Sequence, residues 1–93
     1  RGKGLLQALE IVADKDSKAI FPAARNAVAR LCAIAREEGL LIYSRRTNEG
    51  QFGEWLMVAP PLIVTAEEIK LIAQGLRRSL DRYCEELRKD GVL

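Results

Sequence analysis

Residues 53–69 read Gly53-Glu54-Trp55-Leu56-Met57-Val58-Ala59-Pro60-Pro61-Leu62-Ile63-Val64-Thr65-Ala66-Glu67-Glu68-Ile69. Trp55 to Ala59 has the composition of a strand. Pro60-Pro61 stops it, because neither residue can donate to a ladder. Thr65 followed by Glu68 is a capping box, so a helix begins there. Its buried stripe is Ile69, Ile72, Leu76, Leu80, Tyr83 and Leu87, and its wet face is Arg77, Asp81, Arg82, Glu85 and Lys89. The helix runs to about Lys89, and Gly91 ends it. Gly75 in its middle costs about 1 kcal/mol relative to alanine, which points to close packing there.

Working back from this stretch, Leu40-Leu41-Ile42-Tyr43-Ser44 is a second short strand. The polar loop from Arg45 to Glu54, with Gly50 and Gly53, joins the two as a hairpin with a long tip. Loops of that length are more often functional than short ones. Before it, residues 22–38 predict a helix: Pro22 suits a first turn, Ala24, Ala27, Val28, Leu31, Ile34 and Ala35 form one stripe, and Gly39 suits the position just past the end. Residues 5–12 predict a strand that is apolar on both sides, a pattern of interior strands. Asp14 to Ser17 and Lys18 make a polar turn. The order is β-α-β-β-α, which predicts one α/β (α+β) domain over residues 1–93: a small, mostly antiparallel sheet with both helices packed on it.

With 93 residues the chain can bury one modest core, but hardly a deep active site as well. Its formal net charge of +2 is too weak to argue for nucleic acid, and no apolar run approaches the roughly 18 residues that span a bilayer. Histidine is absent and Cys32 and Cys84 lie far apart in sequence, so a zinc site is not expected. Buried free thiols in a reducing cytosol are the simpler reading of the cysteines, although a disulfide stays open on sequence grounds.

Chemistry is scarce. Without histidine, a serine or cysteine nucleophile has no usual base. The pairs Glu37-Glu38, Glu67-Glu68 and Glu85-Glu86 point in different directions on their helices and are expected to be solvated faces. Arg1-Gly2-Lys3-Gly4 is not a phosphate loop, because it precedes a strand instead of joining a strand to a helix. It suggests close backbone approach at a strand entry. Arg1 is not an initiator methionine, and the chain reads as a piece of something longer.

Three segments resemble the C-terminal domain of class III aminotransferases. They are Arg1-Gly2-Lys3-Gly4-Leu5-Leu6 through Val12, Ala35 through Gly39-Leu40-Leu41-Ile42-Tyr43, and Gly53 through Ala59-Pro60-Pro61-Leu62 to Ile69. Together they cover nearly the whole chain. The resemblance implies the small domain of a fold-type-I enzyme that moves an amino group from an amine or amino acid to a keto acid on lysine-bound pyridoxal 5'-phosphate. The cofactor domain is absent from these residues. None of Lys3, Lys15, Lys18, Lys70 or Lys89 stands in the context of the Schiff-base lysine, so no catalytic or cofactor-binding residue is expected here, and the piece alone is expected to be inactive.

The same resemblance implies a substrate-side role, a large cofactor domain as the covering partner, a homodimeric parent and a cytoplasmic location. Met57 stands where many members carry an arginine, and Trp55 where a closer subgroup often carries histidine. The chain is most similar to the ω-amino-acid and amine transaminases, whose longer loop reaches the site. Arg45 and Arg46 are candidates for a substrate carboxylate, since a guanidinium is a planar fork; surface charge is the other reading of the pair. Trp55 is a candidate pocket wall, or else core. The competing function is a free-standing α/β interaction or regulatory domain.

Overall fold

The computed structural model describes residues 2–91, so Arg1 of the first family-like segment lies outside the described residues. Four strands and two α-helices follow one another: β1 (Gly2–Lys3), β2 (Leu6–Ile11), α1 (Ala27–Glu37), β3 (Tyr43–Arg46), β4 (Glu54–Val58) and α2 (Ala66–Lys89). All pairings are antiparallel, in the order β1-β2-β4-β3. The expected α+β domain is present, with one addition. Gly2 and Lys3 do not merely enter a strand; they fold back on Gln7 and Leu6 as a two-residue edge strand.

β2 and β3 are both antiparallel to β4 and therefore run the same way, with α1 carrying the chain between them. The cross-strand rows are Leu9–Leu56–Ser44 and Ile11–Glu54–Arg46 on one face, and Ala8–Met57–Tyr43 and Glu10–Trp55–Arg45 on the other. Leu56 and Glu54 are buried, which identifies the first face as the inner one. Phe21, Ala27, Val28, Leu31, Ile34, Leu56, Tyr83 and Leu87 form the core. α1 touches β3, β4 and α2. The two helices are thus layered, with α2 leaning chiefly on α1.

Three boundaries differ from the sequence expectation. The 22–38 helix is broken: residues 23–25 form a 3-10 turn, Asn26 takes a left-handed conformation (φ 46°), and α1 starts only at Ala27. Asparagine tolerates that region better than most residues. Its amide closes the 3-10 turn onto the Ala23 carbonyl at 3.2 Å, and Pro22 precedes the turn in extended backbone. Ala24 is consequently exposed, while the other five stripe residues are buried. The strand expected at 40–44 is shifted to Tyr43–Arg46, because the end of α1 uses up the residues before it. Gly39 (φ 83°) donates to the Arg36 carbonyl and Leu40 to that of Ala35, a Schellman closure. The hairpin forms as expected, but Arg45 and Arg46 lie within β3, not in its loop.

The Thr65 capping box forms, with Glu68 N–H on the Thr65 hydroxyl at 3.1 Å and Thr65 N–H on the Glu68 carboxylate at 2.9 Å. Of the stripe expected on α2, Tyr83 and Leu87 are buried and Ile72, Leu76 and Leu80 half-buried, while Gly75 and Ser79, outside that stripe, are buried beside them. Ile69 and Leu71 remain exposed, as do Leu62 and Ile63 just before the helix. The carboxylate pairs are not simply solvated. Glu38 accepts from Arg78 and Arg82, Glu37 accepts from Arg82, and Glu86 accepts from Arg30. They fasten α1 to α2.

Candidate functional site

Among the described residues no helix packs on the outer face of the sheet, and the alternation of β3 decides which arginine belongs there. Arg45 and Tyr43 point outward, and the Arg45 guanidinium donates to the Tyr43 hydroxyl at 3.2 Å. Trp55, half-buried, stands between Arg45 and Glu10 in the same row. A concavity of about 570 Å³ opens beside it, lined by Ala8, Glu10, Lys18, Phe52, Gly53 and Trp55. Arg45 offers a fork for a carboxylate and Trp55 a flat apolar wall.

Arg46 points the other way. Its Nη2 donates to the carbonyls of Ala23 and Glu49, each at 2.6 Å, and its Nε lies 3.5 Å from the Glu54 carboxylate. Glu54 is only 2% exposed and also accepts the Val28 amide at 3.3 Å. A side chain from β4 therefore caps α1 from outside the helix, where a carboxylate also meets the positive end of the helix dipole. Asn26, at the N-cap position itself, makes no side-chain cap bond. Nearby, burial pushes the Tyr83 phenol up, against the opposing pull of the Arg25 guanidinium.

The structure thus separates the three sequence candidates. Arg45 and Trp55 share the open face, and Arg46 is committed inside. Tyr43, Glu10 and Phe52 join that open face without having been singled out. Period-two alternation from Arg45 would have found Tyr43, and alternation from Leu56 would have placed Glu54 inward.

All five lysines are exposed. Lys18 borders the open concavity, and none stands in an enclosed pocket that could seat a cofactor aldehyde and its phosphate. These residues do not by themselves fit pyridoxal phosphate. Among the described residues there is no cluster of acidic or thiol ligands suited to a metal, and no helix is long and apolar enough to cross a membrane. Cys32 and Cys84 are free thiols, so the disulfide left open by the sequence does not form.

No family model matches the chain. Individual relatives do. An uncharacterized aminotransferase of Schizosaccharomyces pombe is 35% identical over 86% of this chain, and one of Sinorhizobium fredii is 33% identical over 98%. In each case the chain spans only 18% of the relative's length. The adenosylmethionine-8-amino-7-oxononanoate aminotransferase of Geobacter sulfurreducens is 31% identical over 83% of the chain. Among solved structures, a transaminase from work on directed evolution by ancestral reconstruction superposes with a TM-score of 0.80 at 32% identity, over 94% of this chain and 18% of that one. A Bacillus anthracis aminotransferase superposes at 0.76 and 32% identity, over 88% and 18%. Relatives and neighbours agree in name, and the free-standing interaction domain is not favoured. The chain belongs to the aminotransferases, as their small C-terminal domain.

Proposed function

We propose that this chain is the substrate-side domain of a pyridoxal-phosphate-dependent aminotransferase of class III, of the ω-amino-acid or amine type, acting in the cytosol as part of a homodimer. The observation that carries the reading is the open sheet face, on which Arg45, Tyr43 and Trp55 are gathered without a covering helix among the described residues. The cofactor and its lysine belong to a large domain elsewhere in the protein, in keeping with the exposure of every lysine here. In this reading Arg45 binds and orients a substrate carboxylate, Tyr43 holds the guanidinium in place, and Trp55 walls the pocket and excludes water. The exposed Leu41, Leu62, Ile63 and Leu71 are covered by the rest of the protein, since large apolar groups left this bare on a small domain mark an interface.

The test is Arg45→Ala in the full-length protein. KM for a carboxylate-bearing amino donor should rise about tenfold or more while KM for a carboxylate-free amine stays near its starting value, the pattern of a lost binding contact. Equal effects on the two donors would remove Arg45 from the substrate contact.

A further inference from the structure

The tip of the β3–β4 hairpin holds three successive residues at positive φ: Asn48 (50°), Glu49 (56°) and Gly50 (92°). Glutamate is a poor occupant of that region, so the contacts made by the tip must hold the chain there. Within the tip, Thr47 N–H reaches the Gly53 carbonyl and Phe52 N–H the Thr47 carbonyl, both at 3.1 Å. The tie to the body of the domain is Arg46. One nitrogen of its guanidinium binds both the Glu49 carbonyl in the tip and the Ala23 carbonyl before α1, and a second faces buried Glu54. Gly50 is packed beneath that group. A Cβ at Gly50 would lie 2.6 Å from Nη2, too close to stand without a shift of the guanidinium, and 3.0 Å from Nε. Glycine suits position 50 by its φ, and any side chain there would have to push the Arg46 guanidinium aside. The tip so held presents Phe52, 73% exposed, at the concavity walled by Trp55.

We infer that Arg46 is a positioning residue: it clips the 47–53 tip to the segment before α1 and so sets Phe52 beside Trp55 at the mouth of the substrate side. This rests on the reading that the outer face meets substrate. Backbone strain held in place beside a site is a recognised form of pre-organisation, and here a single guanidinium supplies the hold.

The experiment compares Arg46→Ala, Arg46→Lys and Gly50→Ala with Arg45→Ala in the full-length protein. A glutamate-specific protease should cut the folded Arg46→Ala and Gly50→Ala proteins at Glu49 about tenfold faster than the parent, because local opening governs cleavage. Both should raise KM for carboxylate-bearing and carboxylate-free donors by the same factor, roughly threefold to tenfold, with kcat within about twofold. Arg46→Lys should fall between, since one ammonium cannot reach all three acceptors. Should Arg46→Ala fail to fold, Gly50→Ala and Arg46→Lys carry the same comparison. Three results would overturn the inference: a KM effect confined to carboxylate-bearing donors, a lower melting temperature with both KM values unchanged, or unaltered cleavage at Glu49. A full-length protein that does not transaminate would defeat the underlying reading, and the substrate role with it. The cleavage rates would still report separately on the clip.

Discussion

Glu38, one residue past the end of α1, accepts a hydrogen bond from Arg78 of α2 at 3.0 Å. Arg78 and then Arg82 hold its carboxyl below the ordinary value of 4.5, and Arg30 does the same for Glu86. A carboxyl whose folded pKa is depressed adds stability that is complete above its unfolded pKa and lost as pH falls through the folded one.

The chain should therefore hold its stability from neutrality down to about pH 5 and lose it progressively below 4.5. Denaturant midpoints measured from pH 7 to pH 3 check this. The double variant Glu38→Gln/Glu86→Gln should start lower at pH 7 and fall less steeply in acid. An unchanged acid slope would remove these two groups from the account.

Glu54 is the buried carboxylate that holds both Arg46 and the start of α1. Glu54→Ala leaves a guanidinium and the Val28 amide short of a partner and should cost about 3 kcal/mol. Glu54→Gln keeps an acceptor for the amide and should cost less. Urea denaturation of the two variants gives the order, and equal losses would argue that the carboxylate charge, which both variants remove, outweighs the acceptor and the volume that glutamine keeps.

Gly75 was expected to mark close packing. It is buried beside Leu40, yet a Cβ there would meet Leu40 at 3.6 Å, an ordinary contact. Gly75→Ala should consequently stabilise the domain by up to about 1 kcal/mol through helix propensity. A loss of stability on thermal or urea unfolding would show that the helices pack closer than these distances.

Leu62 and Ile63 are about nine-tenths exposed, 91% and 89%. The isolated 93-residue chain should self-associate, and Leu62→Ser/Ile63→Ser should shift light-scattering masses back toward the monomer. A wild-type chain that stays monomeric at high concentration would show that these residues need no cover.

The isolated chain, incubated with pyridoxal phosphate and reduced with borohydride, should give no stoichiometric adduct at a single lysine and should not transaminate. One stoichiometric adduct on peptide mapping, accompanied by amino transfer, would place the cofactor site in this domain after all.

Much of this fold was legible because its strongest signals are local. The double proline ends β4, the Thr65 box starts α2, and Gly39 ends α1, each through chemistry confined to a few residues. The break at Asn26 was not legible. The acceptor that meets the new helix start, Glu54, lies on a strand distant in sequence, and the helical stripe continues in pattern across the break. The site was half legible for a similar reason. Arg45 and Arg46 are adjacent and chemically alike, and a one-residue change of strand start exchanges their faces. Placing both in a loop erased the difference that the register supplies. At the start of α2 the periodicity placed Ile69 in the stripe, but α2 packs on α1 only over its second part, and Ile69 stays exposed.

The strand order also dictates how the chain must assemble. β3 and β4 are neighbours in sequence and can close on the microsecond timescale typical of hairpins. β2 pairs with β4, not with β3, so it can join only after α1 and the hairpin have been traversed, a slower closure of distant segments. Until it docks, β4 presents an open edge carrying Trp55 and Met57, and that interval is when two nascent chains are most able to pair with each other in place of themselves.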